Sequence, residues 1–282
     1  APARLLDDLE VPGLGGRRRF LFTGLGSSGF AAQLVAAQVQ HHGATAWVES
    51  ALTSAATPPA VDIVLFAISA SGRTPAVIQA AAAHRGRSLV VAVTNDPGSA
   101  LADVADQVIR LEAGVESAGI AARSFRATIA ALALTTGIVD APTLRTAIDG
   151  LVARLSTADA WAAPIVDALD GAPAIDVLAD ASQLGLAAQA ALMLREAPRL
   201  PAHAFETADW LHTGVYLAWA GHQVLSFAGS AADDEVATTL ARRGAGQSIV
   251  PAQPGDAISR AIVDSVVAEV VAERLWRRAD GR

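Results

Sequence analysis

Short apolar runs alternate along this chain with longer stretches whose apolar positions recur every three or four residues. Runs rich in Val, Ile and Leu near 20–23, 45–49, 62–68, 88–94 and 107–111 read as strands. The stretches near 28–41, 75–84, 99–104 and 119–137 read as helices. Nearly continuous apolar strands separated by helical patterns predict a parallel sheet covered on both faces. A helical segment over about 142–170 leads to a break at Gly171-Ala172-Pro173. The alternation then resumes: a strand over Ala174 to Ala179, a helix to Arg195, a strand over Gln223 to Ala228, a helix to Arg242 and a strand over Gln247 to Pro251. A last amphipathic helix over about 257–278 turns Ile262, Val266, Val270 and Leu275 inward. The pattern predicts an α/β protein with the layout of a duplicated domain, divided into residues 1–145 and 146–282.

Two strand-to-helix junctions carry candidate chemistry. The strand ending at Ala67 runs into Ile68-Ser69-Ala70-Ser71-Gly72-Arg73-Thr74, and a helix begins at Pro75. The free N–H groups of a first helical turn, with the helix dipole, favour an anion there. Ser69, Ser71 and Thr74 each add a hydroxyl donor, Gly72 removes a Cβ from the turn, and Arg73 adds a cation. The same residues also suit an ordinary turn with Ser/Thr caps. Upstream, Gly24-Leu25-Gly26-Ser27-Ser28-Gly29 follows the first strand. Gly24, Gly26 and Gly29 fit the dinucleotide pattern G-x-G-x-x-G, and Glu49 stands where its ribose-binding acid would. A serine-rich turn and a second hydroxyl turn have no part in that pattern.

In order along the chain stand Gly24 to Ser28, Ile68 to Thr74, Thr94-Asn95-Asp96-Pro97-Gly98-Ser99-Ala100-Leu101-Ala102, Ala105-Asp106, Ala113-Gly114-Val115-Glu116 and Arg123-Ser124-Phe125. This series resembles the sugar isomerase (SIS) domain family, most closely in layout the isomerase half of glucosamine-6-phosphate synthase. The resemblance is strong over about 20–130 and weaker over about 174–250. It implies two three-layer α/β/α SIS domains with parallel, flavodoxin-like sheets. It also implies a phosphorylated sugar as ligand, with its phosphate held by Ser27, Ser28, Ser69, Ser71, Gly72 and Thr74.

The second half departs from that family. Its first turn reads Asp180-Ala181-Ser182-Gln183 and its later one Phe227-Ala228-Gly229-Ser230-Ala231-Ala232. Neither carries the dense hydroxyl series, so one phosphate pocket is expected, in the first half. Ala191-Leu192-Met193-Leu194-Arg195-Glu196 resembles the family's catalytic-glutamate helix, and the segment from Ala202 to Gly214 resembles the one bearing the ring-opening histidine, which falls at His212. The resemblance implies Glu196 as the base that moves a proton between adjacent carbons, and His212 as a ring opener contributed across a homodimer interface. Glu206 or Asp209 would orient the histidine ring. Met193 and Arg123 stand where the synthase has lysine.

Composition narrows the classes. All 21 basic residues are arginine, so no side chain can form a Schiff base with a sugar carbonyl. Cysteine is absent, which removes disulfides, thiolate nucleophiles and cysteine zinc sites from these 282 residues. A net charge of −7 argues against nucleic acid as a partner. No apolar run has the length of a membrane span and no leader is evident, so a cytoplasmic protein without metal or cofactor is expected. Three functions fit: an aldose–ketose isomerase acting on a phosphorylated keto- or amino-sugar, a phosphosugar deglycase or deaminase, and a non-catalytic phosphosugar sensor.

Overall fold

Every Val/Ile/Leu run of the first half forms a parallel strand. A computed structural model describes Leu6 and residues 11–53, 56–116 and 119–280. The chain divides into two compact units, residues 1–148 and 149–282. The first unit contains β1 (Arg19–Thr23), α1 (Ser27–His41), β2 (Thr45–Glu49), β3 (Ile63–Ile68), α2 (Pro75–His84), β4 (Leu89–Thr94), α3 (Ala100–Val104), β5 (Gln107–Arg110), α4 (Arg123–Thr136) and the start of α5 (Ala141–Ser156). Its sheet order is β2-β1-β3-β4-β5, all parallel.

Helices cover both faces of this sheet. Leu21, Ile63, Leu65, Ala67, Val90 and Ala92 pack with Val77 and Ala81 of α2 and Leu101 of α3. Alternate strand positions point to the opposite face, where Phe22 stacks on Phe66 at 5.1 Å between ring centroids. On that side α1 packs on β1, β2 and α4. The central strand β3 is buried along its whole length, as a parallel strand with two covered faces must be.

The second unit contains α6 (Ala158–Leu169), β6 (Ile175–Ala179), a 3₁₀ turn (Ala181–Gln183), α7 (Leu184–Glu196), β7 (Ala202–Glu206), α8 (Thr207–Trp210), a second 3₁₀ turn (Gly214–Leu217), β8 (Gln223–Phe227), α9 (Asp233–Arg243), β9 (Gly246–Val250) and α10 (Ala257–Asp280). Its parallel sheet runs β7-β6-β8-β9. Second, first, third, fourth is also the order that opens the first sheet. One face packs Leu178 and Val224 against Trp210, Val236 and Leu240. On that face Asp176 accepts bonds from Trp210 Nε1 at 2.8 Å and His222 Nε2 at 2.9 Å, all buried.

Three elements differ from the sequence pattern. The bridging helix is two helices, because the Thr157 hydroxyl turns back onto the Arg154 carbonyl at 3.1 Å and α6 restarts beyond it. Strand β7 was not anticipated; as an edge strand it pairs on one side only and needs little apolar sequence. In α10, Val267 and Val271 are buried, whereas Val270 is only half-buried. Among the described residues, no helix is long and apolar enough to cross a membrane.

Candidate functional site

In the first sheet the chain leaves β1 toward β2 on one side and returns through β3 on the other. The reversal opens a crevice outside the carboxyl ends of β1 and β3, where sheets of this kind bind ligands. Both serine-rich turns emerge there. Thr23 is in register with Ala67, so Gly24 and Ile68 leave the sheet side by side. A Cβ on Gly24 would lie 2.9 Å from Ser28 Cβ and 3.2 Å from the Ile68 carbonyl oxygen. Glycine is what lets the two turns meet.

The downstream turn is fixed from below by the loop after β4. Ser69 N–H donates to Val93 O at 3.1 Å, Asn95 N–H to Ala70 O at 3.0 Å, and Leu101 N–H to Gly72 O at 3.1 Å. Gly72 has φ 64°, and a Cβ there would overlap the Ser99 side chain. The turn is thus a rigid shelf on residues 94–99, and Ser99 Oγ is buried beneath it without a hydrogen-bond partner. Thr94, Asn95 and Ser99 were not among the candidate residues. Their signal was a polar Thr-Asn-Asp-Pro-Gly-Ser run directly after an apolar strand.

Ser69, Ser71, Gly72 and Thr74 lie in this one turn, and Ser27 and Ser28 open α1 after the Gly24 turn that meets Ile68. Ser69 Oγ and Thr74 Oγ1 share a hydrogen bond at 2.9 Å. Ser71 Oγ accepts from Arg73 N–H at 3.3 Å. Neither α1 nor α2 has a side-chain N-cap or an acidic residue in its first turn. Their orphan N–H groups and partial positive charge stay available to a bound anion. Across the turn, the exposed Arg73 guanidinium pairs with Asp96 at 3.3 Å.

Glu49, at the position of the acid in the dinucleotide pattern, is hydrogen-bonded to its neighbours Trp47 and Thr57. Its carboxylate accepts from Trp47 Nε1 at 3.0 Å, from Thr57 N–H at 3.1 Å and from the Thr57 hydroxyl. Burial alone would raise its carboxyl, but the bonds from Thr57 and Trp47 outweigh it and hold the group below its ordinary value. These bonds tie Thr57 to the end of β2, and Glu49 and Thr57 line a cavity of about 350 Å³ together with His84 and Arg87.

Glu196 and His212 both lie in the second unit. Glu196 is the last residue of α7, where a carboxylate meets the unfavourable end of the helix dipole. Partial burial pushes its carboxyl above the ordinary value, and Arg195 and Arg199 pull it back. His212 is exposed, and its backbone N–H donates to Asp209 O at 2.9 Å. The expected orienting acids act elsewhere: Glu206 accepts from Asp209 N–H at 2.7 Å, and Asp209 accepts from the Thr213 hydroxyl at 3.1 Å. Beyond His212, Tyr216, Leu217 and Trp219 are exposed by 74%, 63% and 49%, an apolar surface facing solvent in the single chain.

A doubly wound sheet with two uncapped, hydroxyl-lined helix starts at its reversal point is suited to receive an anion. A model of the SIS domain matches residues 14–138 of this chain. Among solved structures, the C-terminal domain of glucosamine-fructose-6-phosphate aminotransferase from Francisella tularensis aligns with a TM-score of 0.84 at 14% identity, over 95% of this chain and 86% of that one. Tagatose-6-phosphate ketose/aldose isomerase from Escherichia coli aligns with a TM-score of 0.79 at 18% identity, over 94% and 84%. Glucosamine-6-phosphate deaminase from Thermotoga maritima aligns with a TM-score of 0.75 at 15% identity, over 98% and 90%. At these identities the likeness is one of fold. No curated protein matches the sequence.

Proposed function

We propose that this protein is a phosphosugar-binding enzyme of the aldose–ketose isomerase type, acting on a phosphorylated keto- or amino-sugar. One observation carries the reading: two serine-rich turns touch at the reversal point, and the helices behind them begin without a carboxylate. Ser27, Ser28, Ser69, Ser71 and Thr74, with backbone amides at Gly72 and the helix starts, would hold the phosphate dianion. In this reading the second unit is a second SIS domain, supported by its matching strand order, and supplies the groups that act on carbon.

A phosphosugar arrives mostly as a closed ring. His212 would open it by moving a proton from the anomeric hydroxyl to the ring oxygen, work suited to an imidazole, whose two ring nitrogens can donate and accept protons. Glu196 would then take a proton from the carbon next to the carbonyl and return it to the neighbouring carbon. Its raised carboxyl makes it a better shuttle near neutral pH. The fixed phosphate sets the register of the reacting carbons, so that binding far from the reaction supports it. The same base would serve in expelling an amine from an amino-sugar, the deaminase alternative. The exposed Tyr216, Leu217 and Trp219 beside His212 support a homodimer in which this segment meets a second copy.

A thermal-shift screen of hexose and hexosamine phosphates, followed by assay of each hit, tests the proposal. Glu196→Gln is expected to bind a hit as wild type does and to turn it over about 10²–10⁴ times more slowly. Full turnover by this variant removes Glu196 from the mechanism, and a protein that binds no phosphosugar removes the function itself.

A further inference from the structure

Arg73 is the one cation within the hydroxyl turn, and its present partner is weak. Its guanidinium meets Asp96 through a single 3.3 Å contact, with the two side chains exposed by 77% and 39%. An exposed ion pair of that geometry contributes little, because water screens it and two side chains must be ordered to hold it. The frame beneath it is firm. Asp96 is held by its own turn, accepting from Gly98 N–H at 3.1 Å while its N–H donates to Thr94 Oγ1 at 3.2 Å. Thr94 Oγ1 in turn donates to Ala70 O at 3.3 Å. A rigid base therefore carries a loosely tied guanidinium at the rim of the anion cradle. A phosphate dianion offers this fork two parallel, charge-assisted bonds, a better partner than one oxygen of a solvated carboxylate.

The geometry points to Arg73 as an exchangeable clamp: its guanidinium leaves Asp96 for the phosphate ester in the cradle. Asp96 is the competitor that sets how tightly the ester is held. The exchange rests on residues 69–74 being the phosphate cradle. It makes the site selective for doubly charged anions, since a neutral or singly charged group gives the guanidinium less reason to leave Asp96.

A double-mutant cycle on the full chain tests the exchange, with inorganic phosphate as the probe and isothermal titration as the readout. Arg73→Ala is expected to weaken phosphate binding about tenfold. Asp96→Asn, which releases the arginine, is expected to tighten it about threefold. In the Arg73→Ala background the Asp96→Asn change is expected to do nothing, and Arg73→Lys to recover only part of the affinity. Melting temperatures should stay near wild type, because both side chains are exposed. If Asp96→Asn tightens binding equally with and without Arg73, Asp96 acts by plain repulsion and the exchange is wrong. If Arg73→Ala binds phosphate as wild type does, Arg73 has no role. Absence of phosphate binding by wild type would overturn the cradle itself, a result distinct from either.

Discussion

At the carboxyl edge of the first sheet, α1 and α2 begin with no acid in the first turn and no side-chain cap. At the corresponding edge of the second sheet, the protein's own carboxylates stand in the turns after the strands. Asp180 accepts from Ser182 N–H at 2.7 Å after β6. Asp233 accepts from Gly229 N–H at 2.7 Å and Ser230 N–H at 3.1 Å after β8. Asp233, Asp234 and Glu235 fill the first turn of α9. The strand order is shared, but an anion entering the second edge would displace a carboxylate and meet two more. Two sheets of one strand order thus differ in whether carboxylates stand in the turns after their first and third strands.

The largest expected effect separates the glycines of the two edges. At Gly72 a Cβ would overlap Ser99, and φ is 64°, so Gly72→Val combines overpacking with a strained backbone. It is expected to cost about 3 kcal/mol or more. At Gly229 a Cβ would meet nothing closer than 3.6 Å, from Arg260 Nη1 and Asp180 Oδ2, although φ is 140°. Gly229→Ala should lose only the backbone part, about 1–2 kcal/mol. Urea unfolding of both variants measures the gap, and equal losses would show that the shelf under residues 69–74 is softer than its contacts indicate.

Much of the first edge was legible in the sequence because parallel strands buried on both faces are written as unbroken apolar runs. β3 and β4 could therefore be placed within a residue, and a Ser/Gly turn after such a run falls at the ligand edge by topology alone. Other features lay outside that logic. The shelf of Thr94, Asn95 and Ser99 depends on how the turn after β4 folds under the turn after β3, a contact between loops that no periodicity encodes. β7 pairs on one side, so its sequence, Ala-His-Ala-Phe-Glu, carries little apolar signal. The acids of the second edge were visible only as a first turn without glycine and a later turn without the dense hydroxyl series. That the acids themselves occupy the amides is a matter of side-chain direction.

A smaller contrast concerns buried charge. Asp264 of α10 is 5% exposed, and burial pushes its carboxyl up to about 6 from 3.8, against the pull of Arg154 and Arg260. Between those values the folded chain keeps a proton that the unfolded chain has released. Stability of the second unit should therefore fall as pH rises from about 4 to about 6, by about 2–3 kcal/mol, and return on acidification. Asp264→Asn removes the titrating group and should flatten this slope, read as unfolding free energy against pH. A slope unchanged by the substitution would assign the pH dependence to other carboxyls.

The smallest effect tests the closed edge directly. Asp233→Ala removes the acceptor for two amides in the loop before a surface helix, a loss of about 1 kcal/mol. Ser69→Ala at the open edge removes a hydroxyl bonded to Thr74, whose loss the surrounding backbone bonds should absorb with less change in stability. Ligand binding should order the pair the other way. Ser69→Ala is expected to weaken phosphate binding several-fold, whereas Asp233→Ala leaves it unchanged. Asp234 and Glu235 still face an incoming anion after the substitution, so the uncovered amides of Gly229 and Ser230 do not become a second phosphate site. Titration of Asp233→Ala with phosphate decides this: a second binding event would mean that one carboxylate alone had been closing the edge.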